Sequence, residues 1–151
     1  MIGAGGRHIP AARAWKHVFG YTIVNDVSAR DLQTATTQWL MGKTFDTFAP
    51  MGPWIVTRDE IPDPHALDIS LEICGEVLQK SNTREMVFRI PELIEHLSTV
   101  VTLEPGDVVA TGTPAGVGFT RKPPRYLKPG EETVVRIAGI GELRNPIAAE
   151  A

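Results

Sequence analysis

The chain has 151 residues, with 15 Lys and Arg against 18 Asp and Glu and a formal net charge of −3. This length predicts one domain spanning residues 1–151. A content of 42% hydrophobic and 22% charged residues is typical of a folded core and excludes a disordered chain. The slightly acidic balance argues against nucleic acid as a partner, and no apolar run approaches the roughly 20 residues that span a bilayer. The lone cysteine, Cys74, cannot form an intrachain disulfide, so we expect reducing, cytoplasmic surroundings.

The first third of the chain predicts a helix, a strand and a second helix. Apolar positions after Pro10 follow helical spacing. The segment Tyr21–Val24 is β-branched and aromatic, as is typical of a buried strand. Ser28 and Asp31 have the spacing of a capping box, which predicts a helix start and places Asp26 at a strand-to-helix junction.

Proline and glycine divide the middle of the chain into short elements. Residues 41–53 predict a shaped loop before a short strand at 54–57. Apolar and polar residues alternate over Leu67–Ile73, which predicts a half-buried strand, and Cys74–Gly75 turns the chain back into the second strand of a hairpin.

The last third predicts a helix, a strand and a closing hairpin. Pro91 opens the helix, and a strand at Asp107–Ala110 leads into the glycine-rich loop Thr111–Gly118. The closing hairpin covers residues 133–144. Many short strands with two or three helices, in no βαβ order, predict a β-rich α+β domain.

Three polar side chains follow the first predicted strand with helical spacing. Arg30 and Gln33 fall on one face of the predicted helix, and Asp26 lies just before it. Such a group can bind a cation through the carboxylate and clamp an anionic substrate through the guanidinium. The alternative is a helix-start acid stabilised by the helix dipole, beside an exposed arginine.

Glycine and basic residues mark two further candidate sites. Lys43 either presents an ammonium to an oxyanion or is an ordinary surface lysine. A phosphate-binding loop ending at Lys43 would require glycine at position 37, and the Thr there excludes it. The loop Thr111–Gly118 offers backbone N–H and hydroxyl groups to a carboxylate or phosphate, or forms a plain turn. Arg121–Lys128, with two prolines, indicates a solvated loop, and the four histidines have no zinc-ligand spacing.

Four ordered motifs resemble the fumarylacetoacetate hydrolase family, and the resemblance extends from Ile2 to Pro146. These motifs are Tyr21–Gln33, Gly42–Asp46, Gly75–Gln79 and Thr111–Gly118. Further segments resemble the branch called fumarylacetoacetate hydrolase domain-containing protein 2, namely Gln38–Asp46, Ser81–Thr83, Met86–Phe88 and Arg121–Pro124.

The resemblance implies a mixed β-sheet roll with a few short helices, a homodimer, and a site for Mg²⁺, Mn²⁺ or Ca²⁺. It implies a small 2-oxo acid or acylpyruvate as substrate, with C–C hydrolysis, decarboxylation or keto–enol tautomerisation, such as that of oxaloacetate, through a metal-stabilised enolate. Carried over by motif, Asp26 is a metal ligand and Lys43 is the catalytic group at the developing oxyanion. Arg30 and Gln33 contact the substrate, and Thr113 holds its carboxylate.

The family's metal site also contains a Glu-x-Glu pair, on a strand that lies just before the position of Met1 in this sequence. We therefore expect an N-terminally truncated catalytic domain. Two functions stay open: a metal-dependent hydrolase or isomerase of 2-oxo acids, and a catalytically impaired remnant that binds a dicarboxylate or serves as a dimerisation module.

Overall fold

The computed structural model describes residues 1–149 and contains two antiparallel sheets, two α-helices and several 3₁₀ turns. The smaller sheet pairs β1 (Gly20–Val24) with β2 (Met51–Thr57). The larger sheet has the order β4-β3-β5-β6, with the strands β3 (Asp68–Ile73), β4 (Glu76–Asn82), β5 (Glu132–Ile137) and β6 (Gly141–Pro146). The helices are α1 (Arg30–Ala35) and α2 (Ile90–Val100). The predicted sheet-rich α+β class is confirmed, although every named strand pairing among residues 1–149 is antiparallel rather than mixed.

Turn and proline chemistry sets several element boundaries where the sequence places them. Cys74 and Gly75 have φ angles of 48° and 85°, the left-handed geometry that a tight β3–β4 hairpin requires. Pro91 lies in the first turn of α2, where its missing N–H group costs no hydrogen bond. The segment after Pro10 is helical as predicted, in the tighter 3₁₀ form over Ala11–His17.

Three predictions of local structure are wrong. The Ser28 hydroxyl donates to the backbone carbonyl of Asp26 at 3.2 Å, and α1 begins without a side-chain cap. The segment Asp107–Ala110 is not a strand, because its only paired carbonyl is that of Asp107, which accepts from the N–H of Ile2 at 2.8 Å, and no β-bridge forms along it among residues 1–149. The strand β2 also begins inside the predicted loop.

Buried apolar side chains form two clusters. The one between the sheets contains Ile23, Val56, Ile61, Val135, Ile140 and Leu143. The one beneath α2 contains Ile2, Ile9, Ala14, Ile94 and Leu103. A cavity of about 140 Å³ is lined by members of both clusters, and none of the five predicted site residues lines it. Across residues 1–149, no helix combines the length and the apolar character that a membrane crossing requires.

Candidate active site

The end of β1 places Asp26. Ile23 is 1% exposed in the cluster between the sheets, which anchors the strand. Asn25 fixes where the chain leaves the strand. Its backbone N–H donates to the carbonyl of Pro50 at 3.1 Å, and its side-chain amide donates to Oγ1 of Thr133 at 3.5 Å. Asp26 follows at the surface, at the strand-to-helix junction that the sequence predicts.

Lys43 forms an ion pair with Asp26, with 2.5 Å between Nζ and Oδ2. The preceding residue, Gly42, is buried, and a Cβ atom there would lie 2.7 Å from the Ala29 carbonyl oxygen and 2.7 Å from Cβ of Gln33. Only glycine therefore lets this turn approach α1 closely enough to bring the ammonium to Asp26. The sequence singled out both charged residues, but it did not predict that they pair.

Arg30 is held on two sides. Its Nη1 donates to Oε1 of Gln33 at 2.6 Å, and Gln33 is itself 5% exposed. Its Cζ lies 4.4 Å from the ring centroid of Phe119, which is a cation–π contact. The structure thus places Arg30 and Gln33 on one face of α1, as their spacing predicts, and the two contacts orient the guanidinium.

Thr113 is placed by a buried amide on β4. The side chain of Gln79 donates to Oγ1 of Thr113 at 2.9 Å and to the carbonyl of Pro114 at 2.6 Å. Gly116 has a φ of 104°, and a Cβ there would lie 2.3 Å from the carbonyl oxygen of Leu78. The glycine-rich loop therefore lies directly against β4.

Three residues at this loop were not among the predicted site residues. Arg121 donates to the carbonyls of Gly116 and Leu78, so it anchors the loop, and its prediction as part of a solvated segment is wrong. Gln79 lies in one of the family-like motifs, which is the signal that could have found it. Phe119 has no such signal, because nothing in the local pattern indicates that its ring meets a side chain almost 90 positions earlier in the chain.

Short contacts join the predicted site residues. Lys43 adjoins α1 through Gly42, and Arg30 contacts the segment after the glycine-rich loop through Phe119. The structure thereby pairs Lys43 with Asp26 and Arg30 with Gln33, and Gly42 packs the turn that carries Lys43 against Gln33. Thr113 is held on β4 by Gln79, in the loop that precedes Phe119.

The donor set around Asp26 does not by itself fit a complete metal site. Asp26 is the one carboxylate among the predicted site residues, and its Oδ2 is bound by Lys43. Within residues 1–149, no group of three or more His, Cys, Asp or Glu side chains is arranged to hold a metal ion. Mg²⁺ demands near-octahedral coordination by oxygen atoms. We therefore derive no chemical step through a metal.

Comparison with known proteins gives the family. The model of the fumarylacetoacetate hydrolase C-terminal domain matches residues 1–148. The chain belongs to the fumarylacetoacetate hydrolase family. The mitochondrial oxaloacetate tautomerase FAHD2A of Bos taurus is 51% identical over 149 residues, which are 97% of this chain and 48% of the relative. The chain thus spans about half the length of the curated relatives it matches.

Solved structures agree with this assignment. A fumarylacetoacetate hydrolase from Exiguobacterium antarcticum is 45% identical with a TM-score of 0.96, over 99% of this chain and 54% of that one. The fumarylpyruvate hydrolase of Pseudomonas aeruginosa, solved in complex with Mn²⁺ and pyruvate, is 37% identical with a TM-score of 0.89, over 99% of this chain and 62% of that one. Members of the family are hydrolases, isomerases or tautomerases.

Proposed function

We propose that this chain carries the substrate-binding part of an enzyme that isomerises or hydrolyses 2-oxo acids. Keto–enol tautomerisation of oxaloacetate is the first reaction in this proposal, and C–C hydrolysis of an acylpyruvate is the second. The similarity to an oxaloacetate tautomerase at 51% identity supports the first. The observation that carries the proposal is that three donors are each held by a neighbour, the ammonium of Lys43 by Asp26, the guanidinium of Arg30 by Phe119 and the hydroxyl of Thr113 by Gln79.

These three groups match the charges of a 2-oxo acid. The substrate has a carboxylate beside a carbonyl group. Transfer of a proton from C3 to solvent places negative charge on the carbonyl oxygen, and protonation of that oxygen gives the enol. In the proposed site, Arg30 and Thr113 hold a carboxylate, and Lys43 donates a hydrogen bond to the oxygen that becomes the enolate. Donors that are already aimed at developing charge lower the barrier because they need no reorganisation during the reaction.

Asp26 and Gln33 orient these donors. The ammonium of Lys43 has three N–H groups, so its ion pair with Asp26 fixes it in place and leaves donors for a substrate oxygen. Gln33 occupies one N–H of the Arg30 guanidinium, which has five. Each cation is therefore positioned by a neutral or acidic partner without losing its capacity to bind an anion.

A divalent cation belongs to the proposal only through Asp26, which would serve as one of its ligands. We propose Mg²⁺ for this position, with Mn²⁺ or Ca²⁺ as alternatives, because a carboxylate oxygen suits all three. The Mn²⁺ complex of the fumarylpyruvate hydrolase supports a divalent ion in this family. Since Asp26 supplies a single carboxylate, we expect weak binding by this chain alone.

A second candidate is a dicarboxylate-binding module without turnover. The observation that favours it is the short ion pair, because Lys43 neutralises the carboxylate that the family-like motif assigns to a metal. Binding needs only Arg30, Gln33 and Thr113, whereas catalysis also needs Lys43 at the enolate oxygen.

The experiment follows the enol absorbance of oxaloacetate and, separately, of an acylpyruvate in the ultraviolet, with and without Mg²⁺. The first candidate predicts a saturable rate above the buffer blank with oxaloacetate. Binding of oxalate in calorimetry without a rate on either substrate favours the second candidate. If the chain shows neither oxalate binding nor a rate on either substrate, both candidates are contradicted.

We also propose a homodimer in a cytoplasmic setting. Three large apolar side chains on the turn before Gly42 support pairing, because Trp39, Leu40 and Met41 are 64%, 68% and 67% exposed. Light scattering at two protein concentrations tests this assembly, and a monomer mass at both contradicts it.

A further inference from the structure

We infer that Phe119 is a positioning residue for Arg30, and that it couples the glycine-rich loop to the carboxylate-binding guanidinium. The inference rests on the proposed function for what Arg30 binds. It concerns a residue that neither the family-like motifs nor the comparisons assign to the site.

The contacts of Arg30 leave one edge of its guanidinium free to donate hydrogen bonds. Phe119 covers a face of the guanidinium at 4.4 Å, and Gln33 accepts from Nη1 at 2.6 Å. Among residues 1–149, the structure gives the Nε and Nη2 atoms of Arg30 no hydrogen-bond acceptor. These two atoms form the edge of a guanidinium that grips a carboxylate through two parallel N–H···O bonds. The ring and the amide together therefore reserve this edge for an anion.

The backbone that carries Phe119 is fixed independently of Arg30. Phe119 lies in the 3₁₀ turn Gly118–Thr120, directly after the glycine-rich loop. A Cβ on Gly118 would lie 1.9 Å from the carbonyl oxygen of Arg125, so this turn is packed tightly against the following segment. The anchor of Arg121 on β4 holds the other side. The backbone that carries the ring is thus held on both sides, and the arginine side chain rests against the ring.

The same loop places Thr113, the other carboxylate-binding group of the proposal. Gln79 holds Thr113 on β4, and Phe119 follows it by six residues. The stacked ring therefore sets the position of the guanidinium relative to the Thr113 hydroxyl. Without the ring, α1 and the loop keep their own supports, but the orientation of Arg30 loses one of its two constraints.

The test compares Phe119→Leu, which removes the aromatic face, with Phe119→Tyr, which keeps it. Phe88→Leu is the matched control, because Phe88 is an exposed phenylalanine at 61% on a segment remote from Arg30 in the contacts described. Phe119 is 43% exposed, so we expect the leucine variant to fold, and Phe119→Met replaces it if circular dichroism shows that it does not.

Two readouts are needed. The first is the nuclear magnetic resonance signal of the Arg30 Nε–Hε group, which should carry a ring-current shift and restricted motion in the wild type, Phe119→Tyr and Phe88→Leu. Both should be lost in Phe119→Leu. The second is calorimetric binding of oxalate in the presence of Mg²⁺, which Phe119→Leu should weaken about two- to fivefold, the range of an exposed cation–π contact.

Unchanged Arg30 signals in Phe119→Leu overturn the inference, and so does equal oxalate affinity in the two Phe119 variants. A wild type that binds no oxalate contradicts the proposed function instead, and the Arg30 signals then decide the positioning role alone.

Discussion

The Nζ atom of Lys43 lies 2.5 Å from Oδ2 of Asp26, although the two residues are 17 positions apart in the chain. The side chains are 26% and 53% exposed, so the pair lies at the surface of the fold and not in its core. Ion pairs this exposed contribute little to stability. In the proposed function, the pair serves to orient the ammonium rather than to stabilise the fold.

Gly42→Ala should destabilise the protein and displace Lys43. The added Cβ would lie 2.7 Å from the Ala29 carbonyl oxygen and from Gln33, closer than real Cβ atoms approach. Overpacking of this kind costs about 1–3 kcal/mol in the free energy of unfolding. Urea denaturation measures the loss. Met41→Ala, at a neighbouring position that is 67% exposed, is the control, and an equal loss in both variants contradicts the packing argument.

Gln79→Leu should weaken substrate binding through Thr113. It removes the donor that reaches Oγ1 of Thr113 at 2.9 Å and frees the hydroxyl to rotate. Loss of about 1 kcal/mol, a typical hydrogen-bond contribution, corresponds to about a fivefold rise in KM for oxaloacetate. Steady-state kinetics measure it, with the exposed Gln38→Leu as control. A KM equal to that of the control would show that Thr113 needs no such support.

Acid should selectively weaken the start of α2. The Nε2 atom of His65 accepts from the backbone N–H of Ile90 at 3.1 Å, which requires the neutral ring. Burial, assisted by the charge of Arg89, holds the pKa of His65 below its ordinary value of 6.5, while Asp63 and Glu92 oppose this.

The unfolded chain therefore takes up the His65 proton at a higher pH than the folded one. The stabilisation from neutral His65 is fully present above about pH 6.5 and is lost as the pH falls through the folded pKa. Between pH 7.5 and 5, the free energy of unfolding measured by denaturation should fall less in His65→Gln than in the wild type or in the exposed control His96→Gln. The same drop in all three would contradict the prediction.

Tyr21→Phe should stabilise the fold. The Tyr21 hydroxyl is buried and has no hydrogen-bond partner among residues 1–149, and burial raises the pKa of this phenol, against the smaller opposing effect of Arg58. Removing an unpaired buried hydroxyl should raise the free energy of unfolding by about 1 kcal/mol. Thermal denaturation measures the change. Tyr126→Phe, at a position that is 56% exposed, should leave it unaltered, and a destabilised Tyr21→Phe would show that the hydroxyl is paired.

Local pattern was enough to predict elements whose stability is local. The hairpin at Cys74–Gly75 and the helix at Pro91 depend on the backbone preferences of the residues that form them, so the sequence predicts both. The segment Asp107–Ala110 has the composition of a strand without its structure, because a strand also needs a neighbour that composition does not reveal.

In the site too, contacts between near neighbours in sequence could be predicted, and contacts between distant segments could not. The spacing of Arg30 and Gln33 predicts one helix face, and the structure adds the hydrogen bond between them. The contacts of Lys43 with Asp26 and of Phe119 with Arg30 join segments that are distant in sequence, so only the packing of the loops could reveal them.

In the proposed function, Lys43 acts on the enolate oxygen of a 2-oxo acid. The initial rate of oxaloacetate tautomerisation in Lys43→Met, compared with Lys16→Met as a surface-lysine control, tests it most directly. Loss of a donor to a developing oxyanion predicts a fall in kcat of about 100- to 1,000-fold in Lys43→Met alone. A kcat in Lys43→Met equal to that of the wild type and of Lys16→Met would contradict the claim.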